Sequence, residues 1–252
     1  MNIVILGCNG NIGTFITDKL ANHPNSKVFA IDIHEKYNGD NKRVNYFKNN
    51  FIKKGLNNNI KKMILESNDL TCFLNLIAKD YPVTDSKSEL FLSRNSPFDL
   101  HLDEVCDSFK TTLGSSYLLL QEVMKLNSKN IHLILIGSIF SRNLPSHENY
   151  SNDGNVFKPV AYSLSKTAQN ILFKEACRTL SGEKLRINMI TLGGVYTGQN
   201  NEFVAKYTSK VPMKKMVNLN DIVDCLNWII FKSPKIVNGC EFLVDGGWSL
   251  AN

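Results

Sequence analysis

The sequence predicts an α/β fold in which a doubly wound parallel sheet carries helices on both faces. Three observations predict it. Strand-like and helix-like segments alternate along the chain. Most strand segments are unbroken apolar runs, as expected of strands covered on both faces. The first of them, Ile3–Leu6, ends on a glycine loop that opens a helix, which is the start of a βαβ unit. The 252 residues are 43% hydrophobic and 21% charged, which excludes fibrous and disordered classes. No repeat, linker or composition break divides them, so one domain over 1–252 is expected, with a core large enough to need no metal or disulfide staple.

The elements follow in order. After Ile3–Leu6 and the loop Gly7–Gly13, residues 11–22 read as a helix with Ile12, Phe15, Ile16 and Leu20 on one face. His23-Pro24-Asn25-Ser26 ends it, and 27–33 is the second strand. Strands are expected at 44–47, 71–76, 131–136, 186–192 and 241–244. Helices are expected at 52–67, 102–126, 160–180 and 221–231. The polar stretches 79–100 and 138–159 are long loops after strands, and with 194–215 they form the expected substrate loops. Loops of that length are uncommon unless functional, and ligands of this architecture bind at the carboxyl ends of its strands.

The net charge is +6, and five of the 29 cations are arginine. With no dense basic run, no nucleic-acid partner is expected. No apolar run reaches membrane-span length and no signal-peptide pattern opens the chain, so no membrane association and a cytoplasmic location are expected. Six cysteines without C-x-x-C spacing read as reduced, buried thiols. Cys8, inside the glycine loop, reads as a small packing group rather than a nucleophile. The histidines are scattered without metal-ligand spacing, so no metal is expected.

Two patterns carry chemistry. Gly7, Gly10 and Gly13 stand as G-x-x-G-x-x-G between a strand and a helix. Glycines there let the backbone turn tightly and approach a pyrophosphate, whose charge sits at the helix N-terminus. Asp32 follows Gly13 at the end of the second strand, with Ile33 beside it. A carboxylate there accepts the adenosine ribose hydroxyls and repels a 2′-phosphate, which favours NAD over NADP. Tyr162 and Lys166, spaced i and i+4, share one helix face. An ammonium beside a phenol lowers its pKa, which would let Tyr162 exchange a proton near neutral pH.

Taken together, these features resemble the short-chain dehydrogenase/reductase superfamily, in its short single-domain branch. The resemblance spans the chain. It rests on the glycine loop with Asn9, Asn11 and Ile12, on Asp32, on Asn75-Leu76-Ile77-Ala78, on Ser138, and on Tyr162 with Lys166. Arg186-Ile187-Asn188, Gly193-Gly194-Val195-Tyr196-Thr197 and Asn238 to Trp248 complete it. It implies Tyr162 as general acid/base, Lys166 on the nicotinamide ribose, and Ser138 on the reacting oxygen. It also implies Asn75 to Ala78 along the adenosine side, and Gly193, Val195 and Thr197 around the carboxamide. A homotetramer or homodimer paired through the helices near 102–126 and 160–180 is implied as well.

This chain departs from the pattern at four places. Thr111 stands where the family has a catalytic Asn, Leu192 replaces a Pro, and Asn49 or Asn50 replaces a carboxylate facing adenine. Ser138 and Tyr162 lie 24 positions apart, about twice the family spacing. The inserted Ser146–Asp153 is rich in hydrogen-bonding groups and poor in aliphatics, which suits a sugar better than a steroid or acyl chain. With Gly193-Gly194-Val195, Gln199, Phe203-Val204 and Val211-Pro212-Met213, it resembles a bacterial subgroup of surface-polysaccharide and flagellin-glycan biosynthesis. The expected activity is NAD-dependent hydride transfer between nicotinamide and a secondary alcohol or ketone on a sugar or sugar nucleotide. The rival expectations are an NADP-dependent reductase of a small carbonyl compound and a non-catalytic dinucleotide-binding sensor or partner subunit.

Overall fold

The computed structural model describes residues 1–81, 96–126, 129–150 and 157–251. Its strands are β1 (Asn2–Leu6), β2 (Lys27–Asp32), β3 (Val44–Lys48), β4 (Thr71–Asn75), β5 (Ile131–Ser138), β6 (Leu185–Leu192) and β7 (Glu241–Val244). Its helices are α1 (Gly13–Ala21), α2 (Phe51–Lys54), α3 (Asn58–Glu66), α4 (Leu102–Met124), α5 (Val160–Leu180), α6 (Asn201–Ser209), α7 (Leu219–Asn227) and α8 (Trp248–Ala251). The strands form one seven-stranded sheet in the order β3-β2-β1-β4-β5-β6-β7, every pair parallel. This is the doubly wound order expected, and its reversal between β1 and β4 opens a crevice at the strand ends.

The side-chain alternation of the strands divides the core. Ile3 and Ile5 of β1 join α1 and α7 on one face, while Val4 and Leu6 join α3, α4 and α5 on the other. A smaller cluster of Ile139, Tyr207, Val211, Met216 and Trp248 lies beneath one end of the crevice. Among the described residues, no helix is long and apolar enough to cross a membrane.

The predicted helix 52–67 is two helices. Gly55, at φ +66°, ends α2, and the Asn57 side chain accepts the Asn59 N–H to start α3. The stretch 194–215 is not all loop, because α6 stands inside it, capped by Asn200 accepting the Phe203 N–H at 2.8 Å. Residues 82–95 of one predicted substrate loop and 151–156 of another lie outside the described residues.

Candidate active site

A cleft lies at the switch point and runs across the carboxyl ends of the strands. It consists of two cavities of about 470 and 670 Å³ that share Gly7, Gly10, Leu76 and Ala78. Asp32, Ile33, Asn49, Asn50 and Thr111 line the first. Ser138, Tyr162, Lys166, Gly193, Val195 and Thr197 line the second.

The three loop glycines have different reasons to be glycine. A Cβ on Gly13 would lie 2.4 Å from the Gly7 carbonyl, and Gly7 itself sits at φ +81° against Ile77, so the fold demands both. Gly10 is different. A Cβ there would meet no protein atom nearer than 3.5 Å, yet Gly10 lines both cavities. Its bareness leaves room for a ligand, and Asn11, Ile12 and Gly13 bring the start of α1 to the same wall. The loop therefore fits a dinucleotide's pyrophosphate.

Asp32 ends β2 with its carboxylate already engaged. One oxygen accepts the Asn9 N–H at 2.9 Å; the other accepts the Ile33 N–H and pairs with His34 Nδ1, each at 2.7 Å. These bonds hold the carboxylate at the wall of the first cavity.

Three expected site residues stand elsewhere. The Asn9 side chain turns away from the cleft, donating to the Lys36 carbonyl and accepting the Asn38 N–H, both at 2.9 Å. Asn9 thus pins the 36–38 turn to the glycine loop. Asn75 is buried rather than lining the first cavity, because α4 offers its amide two hydroxyls, Ser115 at 3.1 Å and Ser116 at 3.0 Å. Its own oxygen accepts the Ile77 N–H, which sets the turn so that Leu76, Ile77 and Ala78 line the first cavity. Thr111 faces the first cavity, away from Tyr162, since its neighbour Thr112 is the residue α4 turns inward.

At the other end, β5 and α5 bring Ser138, Tyr162 and Lys166 together. Lys166 is buried, and its ammonium donates to the Ile136 carbonyl at 2.7 Å and to Gln169 at 3.0 Å. Burial draws its pKa down to about 8, against the pull of Asp80. The expected lowering of Tyr162 is absent here. Burial and the charge of Asp80 push its phenol well above the ordinary value, and the Ser138 hydroxyl opposes them. The Lys166 ammonium is bound to β5 and Gln169 and stands 5.9 Å from the centre of the Tyr162 ring.

Behind the site, Gly193 donates to the Val244 carbonyl at 2.9 Å and Gly194 to the Tyr207 hydroxyl at 2.6 Å. The Tyr207 ring lies parallel to that of Trp248. Gln199 braces the next turn, donating to the Val195 carbonyl at 3.0 Å and accepting the Thr197 N–H at 2.8 Å.

The sequence reading missed Asp80, Lys158 and Gln169. Lys158 is buried and donates to both carboxylate oxygens of Asp80 at 2.8 Å, with its ammonium 5.2 Å from the centre of the Tyr162 ring. Both residues line the second cavity, which thus holds a charged pair as well as the tyrosine. A lysine two residues before a helix and an aspartate two residues after Ala78 carry no pattern of their own. The signal for the polar ground behind Lys166 was present, though: Ser108, Thr112, Ser115 and Ser116 recur at helical spacing along α4.

With strand order, glycine loop and tyrosine–lysine end in place, comparison with known proteins defines the class. Residues 91–249 match the family model described as Enoyl-(Acyl carrier protein) reductase, and the chain belongs to this family of the short-chain dehydrogenases/reductases, which are oxidoreductases. It is similar to the post-translational flagellin modification protein A of Campylobacter coli, at 26% identity over 98% of each chain. A short-chain dehydrogenase of Leptospira borgpetersenii with bound NAD⁺ has the same fold (TM-score 0.76, 21% identity, 98% of this chain and 92% of that one). So does a putative D-mannonate oxidoreductase from Haemophilus influenza with bound NAD (TM-score 0.76, 19% identity, 100% and 95%). ElxO, solved with NADP bound, matches with a TM-score of 0.74 at 16% identity over 98% of each chain.

Proposed function

We propose that this oxidoreductase is NAD-dependent and moves hydride between nicotinamide and a secondary alcohol or ketone on a sugar or sugar nucleotide. The observation that carries the reading is one cleft with a glycine cradle and Asp32 at one end and Ser138, Tyr162 and Lys166 at the other. When bound, the nicotinamide ring accepts or supplies the hydride.

The chain's own residues do the rest. The backbone of Gly7–Gly13 and the start of α1 hold the pyrophosphate, and Asp32 accepts the adenosine ribose hydroxyls. The negative charge of Asp32 disfavours a 2′-phosphate, which supports NAD. Val195, through its backbone, and Thr197, through its hydroxyl, hold the carboxamide. Lys166 holds the nicotinamide ribose, and its positive charge works against the burial and the Asp80 charge that keep the Tyr162 phenol protonated. In oxidation Tyr162 takes the proton of the substrate hydroxyl, and in reduction it returns it. Ser138 steadies the reacting oxygen by a hydrogen bond.

The Asp80–Lys158 pair supports a hydroxyl-rich substrate. Neighbouring hydroxyls can donate to the carboxylate and accept from the ammonium, whereas an acyl chain would take water from the pair and offer it no hydrogen bond in return. The names of two similar proteins, a post-translational flagellin modification protein and a putative D-mannonate oxidoreductase, support the same class. Tyr117 and Met124 on α4 and Leu164 and Ile171 on α5 are exposed. That apolar face supports pairing of copies through these helices in a homodimer or homotetramer, which light scattering would read as a mass above that of one chain. All six cysteines are free, which supports a reducing, cytoplasmic compartment.

The test is absorbance at 340 nm with NAD⁺ and a panel of sugars, sugar phosphates and nucleotide sugars, the Tyr162→Phe variant running beside the native protein. NADH formed by the native protein and lost in the variant is the expected result. Turnover confined to aliphatic alcohols, or to NADP⁺, would overturn the substrate or the cofactor half of the proposal.

A further inference from the structure

A buried ammonium needs acceptors for its three donors. Among the described residues Lys166 has two, the Ile136 carbonyl and the Gln169 side-chain oxygen. Gln169 is itself buried, and its amide nitrogen donates to Ser116 Oγ at 2.8 Å. Ser116 also accepts from Asn75 at 3.0 Å and donates to the Thr112 carbonyl at 3.4 Å. Both lone pairs and the proton of that hydroxyl are thus in use. This fixes the Gln169 amide one way round, because the reverse orientation would set its NH₂ against the Lys166 ammonium. The third N–H of Lys166 is left for the cleft.

We propose that Gln169 is a positioning residue for hydride transfer, holding Lys166 charged and aimed into the cleft from behind. This rests on the role given to Lys166 above. Thr111 faces the adenosine-side cavity, so the polar support behind Lys166 comes from α5 itself, through Gln169, and from the hydroxyls of α4. The ionisable groups near Lys166 are Tyr162 on α5 and Asp80 after β4, with Lys158 paired to Asp80 across the Tyr162 ring. From β5 come the Ile136 carbonyl and Ser138, and from α4 the neutral hydroxyls. Asp80, Gln169 and the Ile136 carbonyl are therefore the groups that favour the ammonium against burial, and of the two direct acceptors Gln169 is the one a side-chain substitution can remove. Without Gln169, Lys166 loses its proton at lower pH, and Tyr162 loses the charge that favours phenolate.

The experiment follows the ε-carbon resonance of Lys166 in the full chain labelled with [ε-¹³C]lysine, identified by its loss in Lys166→Met. The native midpoint is expected near 8. Gln169→Leu should lower it by about one unit and Gln169→Glu raise it by about one unit. A residue that merely fills space would leave the midpoint of Gln169→Leu unmoved. A Gln169→Leu midpoint within a few tenths of the native one would overturn the proposal. Should Gln169→Leu fail to fold, Gln169→Met, which keeps the length of the side chain without its acceptor, decides in its place, by a lowered midpoint or an unchanged one. With an alcohol that the native protein oxidises, Gln169→Leu should lower kcat ~10- to 100-fold and move the rising limb of the pH profile upward, leaving NADH affinity within ~3-fold. A native protein that oxidises no alcohol would defeat the function proposed above, while the ¹³C midpoints would still decide whether Gln169 sets the charge on Lys166.

Discussion

Two buried basic groups attach to the same strand, one at each end of β5, and they are handled in opposite ways. At the amino end, His132 lies against β6, where Arg186 donates to its Nδ1 at 3.1 Å. Arg186 also reaches the Pro234 carbonyl at 3.2 Å, and Asn188 holds the Val237 carbonyl and the Cys240 N–H, each at 3.0 Å. Those bonds to Pro234, Val237 and Cys240 lock the 233–240 connection to the sheet. Burial, helped by Arg186, drives the His132 pKa down to about 3, so the ring stays neutral. At the carboxyl end, Lys166 keeps a charge in a cleft beside a phenol and the Asp80–Lys158 pair. Polar burial that ends in protein partners is architecture; polar burial that leaves a donor facing a cavity is preparation for chemistry.

Substitutions at the two ends should therefore differ in kind. The largest effect is expected from Tyr162→Phe, with turnover down ~1,000-fold or more, about 4 kcal/mol in the barrier, at nearly unchanged NADH affinity and melting temperature. A matching loss of stability would erase the contrast. Next, Arg186→Leu strips His132 Nδ1 and the Pro234 carbonyl of their donor. Denaturant unfolding should show a loss of about 2–4 kcal/mol, while the molecules that remain folded keep their NADH affinity. Asp32→Ser removes the carboxylate from the adenosine end and should move the NADH-to-NADPH affinity ratio ~10- to 100-fold toward NADPH, read by fluorescence titration. An unmoved ratio would take Asp32 out of cofactor choice.

The smallest effect concerns pH. His132 binds its proton near pH 3 when folded and near its ordinary 6.5 when unfolded. As pH falls below 6.5, the unfolded chain takes up that proton first, so stability is lost on acidification. By pH 5.5 the cost from this one ring is about 1 kcal/mol. His132→Asn should flatten that part of the stability curve, and an unchanged slope would mean the ring is charged in the fold.

The sequence made the skeleton readable wherever one local rule decided the outcome. β7 and α5 have the predicted bounds, because a short apolar run before Asp245 and a long periodic segment after Pro159 leave little choice. α6 escaped because its apolar face is only Phe203, Val204 and Tyr207, too few for a periodic signal. In the cleft, the glycines, Asp32 and the Tyr162–Lys166 pair were marked by their spacing, whereas Ser138 stood out only through the family resemblance. Asn75, Asn9 and Thr111 were assigned by position in a motif. Which way each side chain turns depends on what a distant segment offers it: hydroxyls of α4 for Asn75, backbone of 36–38 for Asn9. Lys158, Asp80 and Gln169 acquire meaning from one another and from Tyr162, across separations that no local pattern spans.

The arrangement behind Gly193 and Gly194 has a consequence in time. Those two backbone N–H groups are held by Val244 and by Tyr207, whose ring lies parallel to that of Trp248. The glycine loop and Asp32 belong to the first strands made during synthesis, whereas the wall beside Tyr162 depends on residues 244–248. In a chain growing from its amino end the glycine loop and Asp32 emerge first, yet Ile3 and Ile5 beneath that loop pack against Ile222, Val223 and Leu226 of α7. Neither end of the cleft is therefore complete until the last segments are made, and the domain folds as one unit.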